Sequence, residues 1–391
     1  MNATRYDYIF LGAGCASLSI IMRMIDAKEF SDKRILIIDK EPKNKNDRTW
    51  CFWEKEENYF ENIIYRKWNK LNVETGFESI PLQADNYEYK MIRGADFYKY
   101  CFDKIKDQNN IEIFYGNISF SSKKDAPTIL VDNELLQVRK DAFIFNSIYL
   151  SGKKQPGKFY LLQHFKGWVI ETGEDHFNIE QATLMDFRTG QENGATFVYT
   201  LPLSRSQALV EYTVFSKSIL PEEDYRNGLA SYIRDFLSVT DYTVREEEFG
   251  VIPMSNANFP FFKNDMYYTG TAGGQTKAST GYTFRFIQKQ AEEIVAQLRD
   301  RKSRLTPTSV SKRFLFYDST LLHILSNNLL DGKTIFTRLF RKNKAAEIFK
   351  FLDNESTLGE EMRLLNSLPK IIFIKAGWKE FIKLMAVRFK Q

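Results

Sequence analysis

The first forty residues carry the pattern that most constrains the fold. An apolar run at residues 6–11 leads into the glycine-rich stretch at residues 12–17, and apolar residues then recur with helical spacing over residues 15–28. A second apolar run at residues 34–39 ends on an acidic residue. Short apolar runs on either side of a helix predict buried parallel strands. The stretch is therefore predicted to be a βαβ unit with a right-handed crossover.

The glycine-rich turn in this unit is a variant of the GxGxxG dinucleotide fingerprint. One glycine permits the tight turn, the next lets the backbone approach a pyrophosphate at the helix N-terminus, and a small serine replaces the third. The acid that ends the second strand is placed to accept hydrogen bonds from ribose hydroxyls. The alternative is a packing turn with a surface acid. The residues predicted to contact the nucleotide are Gly12, Ala13, Gly14, Cys15, Ser17 and Asp39.

A second glycine-rich segment, residues 270–274, follows a short apolar run at residues 266–269 and precedes an amphipathic helical pattern. A loop of this kind can approach the ribityl-phosphate part of a flavin, which favours FAD over NAD. We expect Gly270, Gly273 and Gly274 to contact the cofactor. Arg93, which opens a predicted helix at residues 94–106, is a candidate for contact with the flavin phosphates or a solvated surface residue.

The rest of the chain predicts two further regions. The middle is rich in short β-type runs separated by polar clusters, with a helix near 222–238, and the last 80 residues are helical. The strand signals lie near 111–121, 128–137, 142–150, 158–163, 168–171, 179–186, 195–203 and 207–215. The predicted fold is α/β, with a Rossmann-type FAD-binding domain, an inserted β-rich substrate domain and a helical C-terminal region. The corresponding ranges are 1–55 with 265–300 and parts of 90–150, then 56–264, then 301–391.

Composition excludes several classes of protein. The chain has 55 basic and 50 acidic residues, a net charge of +5, which is too balanced for a protein that tracks nucleic acid. Three cysteines and three histidines without metal-like spacing argue against a disulfide framework or a zinc site. No signal peptide and no apolar run of membrane-spanning length are visible, so a cytoplasmic protein is expected. The 33 Phe and 20 Tyr residues indicate either a large apolar cavity or a Phe-rich core.

Several unusual strings occur in a fixed order outside the fingerprint. They lie at residues 48–53, 162–168, 185–188, 209–213, 250–254 and 270–284. Together they resemble the bacterial lycopene β-cyclase flavoproteins, from about residue 5 to 295. Two positions depart from the family pattern: Ser17 replaces the third fingerprint glycine, and Tyr212 replaces the second acid of the family's acidic motif. If that motif needs only one carboxylate, it is Glu211.

The resemblance implies a carotenoid-biosynthesis enzyme that carries FAD, active in the reduced form. Its substrate would be lycopene, whose ψ-end groups it would convert to β-ionone rings without net redox change. No second dinucleotide fingerprint is visible, so NAD(P)H acting transiently, or a separate reductase, is the expected source of electrons. An FAD-dependent monooxygenase or reductase of an isoprenoid is the first alternative. A non-catalytic, flavin-bound carotenoid carrier is the second.

Cyclisation of this kind requires a proton donor, a proton acceptor and groups that stabilise a carbocation. Glu211 shares one face of an alternating strand with Leu209, which points its carboxyl either into a cavity or onto an exposed sheet face. The family resemblance favours catalysis. Aromatic side chains that can line the polyene path, or else pack in a core, are Trp50, Phe52, Trp53, Phe165 and Trp168. His164 is predicted to assist proton transfer or to be a hydrogen-bonded structural residue. Asp186 and Arg188 are predicted to form a structural ion pair, with a role in catalysis as the alternative.

The C-terminal segment, residues 370–391, is basic and amphipathic. Its apolar residues Trp378, Phe381, Ile382, Met385 and Phe389 recur at helical spacing, and its charged residues are Lys370, Lys375, Lys379, Glu380, Lys383, Arg388 and Lys390. This pattern predicts a helix at the surface of an anionic membrane. A helix docked on the protein body by its apolar face explains the same spacing. A second basic cluster, formed by Arg338, Arg341, Lys342 and Lys344, could face the same surface.

Overall fold

The computed structural model describes residues 1–121, 128–149 and 154–388, with side chains described as far as residue 385. The strands are β1 Tyr8–Leu11, β2 Ile35–Asp39, β3 Thr49–Glu54, β4 Arg66–Trp68, β5 Lys70–Glu74, β6 Ser79–Leu82, β7 Glu88–Arg93, β8 Ile111–Tyr115, β9 Ile118–Ser121, β10 Thr128–Val131, β11 Glu134–Leu135, β12 Phe143–Asn146, β13 Tyr160–Glu171, β14 Gln181–Asp186, β15 Ala195–Pro202, β16 Gln207–Ser216, β17 Thr243–Ser255, β18 Phe262–Lys263 and β19 Met266–Tyr268. The helices are α1 Cys15–Ile25, α2 Gly94–Lys106, α3 Glu222–Asp235, α4 Phe284–Arg299, α5 Lys312–Ser326, α6 Gly332–Lys342, α7 Ala345–Leu352, α8 Leu358–Ser367 and α9 Lys370–Arg388. Short 3₁₀ turns lie at Lys28–Phe30, Glu61–Ile63 and Gly270–Gly273.

The first sheet is the predicted Rossmann-type sheet. Its strand order is β18-β19-β12-β1-β2-β8, with parallel pairing from β19 through β8. Its central strands are apolar throughout because both faces are covered. Phe10 packs toward α1, α2 and α4, while Ile9 and Leu11 pack toward the small β9–β11 sheet. The α/β fold predicted from the sequence is confirmed.

The second sheet, with strand order β17-β13-β16-β15-β14-β5-β6, is formed mostly by residues between the two parts of the first sheet. Helix α3 covers one face, where Tyr225 and Tyr232 pack on Val210 and Val214. The C-terminal helices cover much of the other face. A small sheet, with strand order β3-β7-β4, lies beside the hydrophobic cores of both large sheets. On β3, Phe52 packs in the core of the first sheet, and its neighbours in sequence pack in the core of the second.

Strand β13 differs from the sequence prediction. The sequence predicts separate strands at 158–163 and 168–171, whereas one strand runs from Tyr160 to Glu171 and pairs with β16 and β17 along its length. Lys166 and Gly167 resemble a break between strands, yet backbone pairing on both sides keeps them extended. Similarly, the glycine-rich segment at 270–274 does not open α4 directly, because a loop separates Gly274 from the helix start at Phe284.

The C-terminal region is helical, as predicted. Helix α9 packs on α5, with Ala376 and Gly377 against the body and buried Glu380 hydrogen-bonded to His323 Nδ1 at 2.6 Å. Phe389 and Lys390 lie outside the described residues. Within the described ranges, none of the helices combines the length and apolar character needed to cross a bilayer.

Trp53 joins β3 to α7 and generates a stability prediction. Its ring stacks on Phe349 with centroids 4.5 Å apart, and its Nε1 donates to Asp353 Oδ2 at 3.0 Å. We expect Trp53→Ala to lower the free energy of unfolding by about 3–5 kcal/mol, the cost of removing a buried aromatic ring. Trp378→Ala is the matched control, since Trp378 is 64% exposed and its loss should cost no more than about 0.5 kcal/mol. Denaturant unfolding of both variants measures the difference, and equal effects would contradict the assignment of Trp53 to the core.

Candidate active site

The fingerprint turn forms an open cradle at the N-terminus of α1. Gly12 has φ +93°, and a Cβ there would lie 2.6 Å from Ser147 Oγ. An added Cβ at Gly14, by contrast, meets nothing within 4 Å, so this Cα faces open space beside the first N–H groups of the helix. Ser17 is buried and its Oγ donates to Ser147 Oγ at 3.1 Å, which explains how a serine is accommodated at the third position. The arrangement leaves room for an anionic group at the helix N-terminus.

Two residues predicted to contact the nucleotide, Ala13 and Asp39, contact each other. The Ala13 backbone N–H donates to Asp39 Oδ2 at 2.6 Å, and Lys43 Nζ lies 3.0 Å from Asp39 Oδ1. Asp39 therefore ties the end of β2 to the turn, and Lys43 must move before that oxygen can bind a ribose hydroxyl. Cys15 is buried, and its burial raises the pKa of the thiol to about 12. Cys15 therefore offers its backbone N–H rather than a thiolate.

The second glycine-rich segment lies against the first. Gly270 has φ +59°, and a Cβ there would lie 2.8 Å from Ala16 Cβ in the first turn of α1. A Cβ at Gly273 would lie 2.2 Å from the Tyr268 carbonyl oxygen, so this position also requires glycine. Gly274, with φ +78°, ends the 3₁₀ turn in the left-handed region. The structure thus brings together the two glycine clusters predicted from the sequence.

Arg93 is placed elsewhere. Its guanidinium forms a bidentate pair with Asp96, at 2.7 and 3.0 Å, and lies 3.8 Å above the centre of the Tyr65 ring. None of these contacts reaches the glycine-rich loops. The neighbouring Arg48 lines the cavity described next, so it is the better candidate for a cation near an anionic cofactor.

A cavity of about 520 Å³ lies between the two large sheets, and we call it the interlobe cavity. Its wall on the nucleotide side includes Ser147, Thr271, Thr283 and Phe284, and its wall on the other side includes Gln163, Phe165, Leu209, Glu211 and Tyr282. The cavity therefore connects the glycine-rich loops with the inner face of the second sheet. A molecule in it would contact both the nucleotide-binding elements and Glu211.

One row of paired residues crosses the second sheet at this wall. Tyr199 pairs with Glu211, Glu211 with Gly167, and Gly167 with Glu248. Directly paired residues point to the same face of a sheet. A Cβ at Gly167 would lie 2.9 Å from Glu248 Cγ and 3.0 Å from Leu209 Cδ1. Glycine at this position therefore lets the two glutamates approach each other across the central strand.

The environment of Glu211 favours its neutral form. Burial raises the pKa of the Glu211 carboxyl well above its usual value, and the negative charge of Glu248 raises it further. Its Oε1 accepts a hydrogen bond from Thr213 Oγ1 at 2.9 Å. The surroundings of Glu211, which faces the interlobe cavity, therefore favour its protonated form. No Lys or Arg of the described ranges forms an ion pair with Glu211 or Glu248.

The alternation of side chains along β16 also explains why Tyr212 can replace the second acid of the family's motif. Tyr212 points to the opposite face from Glu211 and packs on α3, where a Cβ at Gly228 would lie 2.7 Å from its ring. A residue at this position cannot reach the cavity without reversing the strand face. The loss of the second acid of the motif therefore leaves the cavity wall unchanged.

Aromatic rings and hydroxyl groups surround Glu211. Tyr282 hydrogen-bonds with Tyr89 and Tyr199, and all three lie at the cavity wall, where burial raises their pKa values. Trp50 and Phe165 line the same cavity, as predicted from the sequence, and Trp50 packs on Phe97 with centroids 5.1 Å apart. These rings offer π faces to a positive charge inside the cavity.

The other predicted lining residues do not reach this cavity. Phe52 stacks on Phe284 in the first core, with centroids 4.5 Å apart, and Trp53 lies in the second core. His164 and Trp168 face α3, because successive side chains of β13 alternate between faces and Phe165 occupies the cavity side. Burial lowers the pKa of His164 to about 4, and its Nε2 lies 2.8 Å from Ser216 Oγ. His164 is therefore a neutral structural residue.

Asp186 and Arg188 form the ion pair expected from the sequence. Asp186 is fully buried, pairs with Arg188 at 2.5 Å and accepts from the Tyr232 hydroxyl at 2.7 Å. Tyr232 belongs to α3, so this pair lies on the face away from the cavity. Asp186 is therefore removed from Glu211 by the thickness of the sheet.

Glu248 was not identified from the sequence. It lies in a run of three acids, Glu246-Glu247-Glu248, that resembles a solvated edge. The signal that could have revealed it is the alternation of β17, because Glu248 shares a face with Gly250 and Ile252, which line the cavity.

Solved structures similar to this chain share its fold. A flavoprotein/dehydrogenase of Cytophaga hutchinsonii has a TM-score of 0.61 at 10% identity, covering 98% of this chain and 100% of its own. A geranylgeranyl bacteriochlorophyll reductase-like protein of Thermoplasma acidophilum has a TM-score of 0.58 at 11% identity, covering 96% and 99%. A probable FAD-dependent monooxygenase of Pseudomonas aeruginosa has a TM-score of 0.52 at 13% identity, covering 83% and 97%.

The sequence comparisons are more specific than the fold. A lycopene beta-cyclase of Pantoea ananas is 23% identical over 303 residues, which cover 74% of each chain. The family model described as lycopene cyclase protein matches residues 7–376, which include both glycine-rich segments and the strands that carry Glu211 and Glu248. The chain belongs to the lycopene cyclase family.

Proposed function

We propose that this protein converts the ψ-end groups of lycopene to β-ionone rings without net redox change, with Glu211 as the proton donor. The observation that carries the proposal is the position of the Glu211 carboxyl at the wall of the interlobe cavity, in surroundings that raise its pKa. A carboxylic acid kept neutral by burial is suited to general acid catalysis near neutral pH. Membership of the family, together with the relative from Pantoea ananas, supports this choice of substrate.

We further propose FAD as the cofactor. The open space at Gly14, the positive φ of Gly12 and Gly270 and the free N-terminus of α1 fit a pyrophosphate and the chain that joins it to a flavin. Asp39 would hold the ribose after Lys43 moves, and Arg48 would balance negative charge. When bound in its reduced form, FAD would supply negative charge near a developing carbocation. The electrons for that reduced form are proposed to come from NAD(P)H.

The residues of the chain account for the proton transfers. Glu211 protonates C2 of the end group, the O–H bond breaking as the C–H bond forms. The cation at C1 is captured by the C5=C6 alkene, which forms the C1–C6 bond. The C6–H bond then breaks, its electron pair forms the ring alkene, and the proton returns to the Glu211 carboxylate. The carboxylate left on Glu211 and the rings of Trp50, Phe165 and Tyr282 stabilise the cation meanwhile. The apolar wall around them keeps water away from it.

The surface of α9 supports a proposal about membrane contact. Three of the apolar side chains predicted to meet lipid, those of Trp378, Phe381 and Ile382, are exposed. A different face of α9, that of Ala376 and Glu380, packs on the body. Trp378 and Phe381 stack on each other in the exposed stripe, with Lys375 and Lys379 beside them. An exposed apolar stripe next to lysines fits the surface of an anionic bilayer. We propose that α9 holds the enzyme at the inner face of the cell membrane, where its substrate dissolves.

The cofactor proposal predicts the effect of Gly14→Val. The protein has room for the added side chain, so the variant should fold, but the isopropyl group fills the space assigned to the pyrophosphate. FAD binding should weaken by at least about 100-fold, measured by flavin fluorescence titration and by the absorbance of the purified protein. Gly173→Val is the matched control, since a Cβ at Gly173 also meets nothing within 4 Å. Wild-type affinity in a folded Gly14→Val protein would remove FAD from this cradle.

The catalytic proposal predicts that Glu211→Gln lowers the rate of lycopene cyclisation by at least about 100-fold, because the amide cannot donate a comparable proton. Glu211→Asp should retain more activity than Glu211→Gln. In the wild type, activity should be present below the raised pKa of Glu211 and be lost as the pH rises through it. The measurement is pigment chromatography with reduced flavin supplied anaerobically, alongside flavin absorbance, which should not change.

Other outcomes of that assay identify a different function. Cyclic product formed by Glu211→Gln near the wild-type rate would exclude Glu211 as the donor. Stoichiometric consumption of NAD(P)H with an oxidised or reduced product would indicate a monooxygenase or reductase. Pigment bound but unchanged, by wild type and variant alike, would indicate a carrier.

The membrane proposal predicts that Ile374→Glu, Trp378→Glu and Phe381→Glu together abolish flotation with vesicles of anionic phospholipid. Losing three apolar contacts of about 1 kcal/mol each lowers partitioning by about 100-fold. The docked face of α9 is untouched, which makes these substitutions cleaner than deletion of residues 370–391. Ile219→Glu, at an apolar residue exposed next to α3, is the control. Unchanged flotation of the triple variant would assign membrane contact to another surface.

A further inference from the structure

A second carboxyl lies behind the cavity wall, that of Glu248, and it has no role in the proton transfers described above. It belongs to the edge strand β17, one strand away from Gly167 and two from Glu211. Because Gly167 has no side chain, nothing on the central strand separates the two carboxyl groups, which interact directly. Glu248 itself does not line the cavity. A substrate would therefore meet Glu211, with Glu248 behind it.

The surroundings of Glu248 differ from those of its neighbours in sequence. Thr49 Oγ1 donates to Glu248 Oε2 at 2.8 Å, whereas Oε1 is buried and accepts no hydrogen bond from the described residues. Glu247 points to the other face, where Lys166 lies 2.8 Å away, and Glu246 accepts from Asn46 at the exposed edge. Of the three consecutive acids, Glu246 and Glu247 are exposed and only Glu248 is partly buried.

The other titratable groups around this pair do not neutralise it. Cys51 on β3 and Tyr199 on β15 face Glu211, and Tyr282 faces it from the loop before α4. On β17, the negative charge of Glu246 raises the pKa of Glu248. Each of these groups is either neutral or negative. Arg48, a cation in the cavity wall, pairs with Asp47 and forms no ion pair with Glu211 or Glu248. Two such carboxyls hold their last proton more tightly than an isolated carboxyl does, because releasing it places two negative charges side by side.

We propose that Glu248 is the proton-sharing partner of Glu211, a positioning residue that keeps a proton on the pair at neutral pH. This inference rests on the proposed cyclase function. In the resting enzyme one proton lies between Glu211 and Glu248 Oε1. As Glu211 forms the C2–H bond, its O–H bond breaks and the pair becomes a dianion beside the substrate cation. As the C6–H bond breaks, the pair regains its proton, so the cycle consumes none.

The shared proton also explains how Glu211 alone can both protonate C2 and accept the proton from C6. The proton leaves the pair at one oxygen of Glu211, and the charge that remains is spread over both carboxyls. Either Glu211 oxygen can then accept the proton from C6, without Glu211 having to rotate back to its starting position. The negative charge of the dianion is largest when the substrate is positive, which is when it stabilises the reacting complex most.

The experiment compares Glu248→Gln with wild type as a function of pH. The amide keeps the size of the side chain and can accept from Thr49, but it removes a negative charge from beside Glu211. The pKa of Glu211 should therefore fall, and the pH at which cyclase activity is lost should move down by about one unit or more, a tenfold change in proton affinity. Glu247→Gln is the matched control on the opposite face and should leave the pH profile where it is.

A readout independent of activity follows the carboxyl groups themselves. Infrared titration of the full-length protein should show a protonated buried carboxyl at neutral pH that is absent in Glu211→Gln and that titrates at lower pH in Glu248→Gln. In the wild type the pair should lose its two protons in separate steps, which tests the coupling even if Glu248→Gln fails to fold. A pH profile and infrared titration identical in wild type and Glu248→Gln would overturn the inference while leaving the cyclase proposal intact. A wild-type protein that forms no cyclic product would instead overturn the proposed function, and the infrared result would still report on the pair.

Discussion

The missing side chain at Gly167 is the constraint on which the chemistry of this site depends. A sheet normally separates residues of alternate strands by the side chains of the strand between them. At Gly167 that separation is absent, and a methyl group there would lie 2.9 Å from Glu248 Cγ. The two carboxyls can then interact across a backbone that is itself fully paired on both sides. Because the positions are set by a twelve-residue central strand, the geometry does not rely on a mobile loop.

The side chains on the two faces of β13 have different surroundings. On one face, His164 and Trp168 pack under α3 and Lys166 reaches the acids at its edge, which fastens the helix to the sheet. On the other face, Gln163 and Phe165 line the interlobe cavity. Both faces of this strand carry polar and aromatic residues. Composition alone therefore does not show which face lines the cavity, because a histidine among aromatic residues is expected on either face.

Much of the fold could be predicted from sequence because its signals are local. The first βαβ unit depends on residues that are neighbours in the chain, and so does the helical pattern of the C-terminal region. Glu211, Trp50 and Phe165 were predicted as site residues and do lie at the cavity. Phe52, Trp53, His164 and Trp168 were predicted with them and do not, because their faces depend on which layer covers each side of a strand. Glu248 was missed for the same reason, since its importance arises from a pairing with Gly167 across about eighty residues of sequence.

The buried carboxyls also have a consequence for folding. A carboxyl whose pKa is raised in the folded state holds its proton over a pH range in which the unfolded chain has lost it. The folded state then binds more protons than the unfolded state, so stability is fully present below the unfolded pKa and declines as the pH rises through the folded one. The two carboxyls therefore oppose folding in the pH range above the usual pKa of a glutamate. Apolar packing outside the cavity, such as the stack of Trp53 on Phe349, offsets this loss of stability. Packing there can be dense because it does not fill the cavity. Aromatic residues lie on both sides of the wall: Trp50 and Phe165 line the cavity, and Trp53 packs in the core behind it.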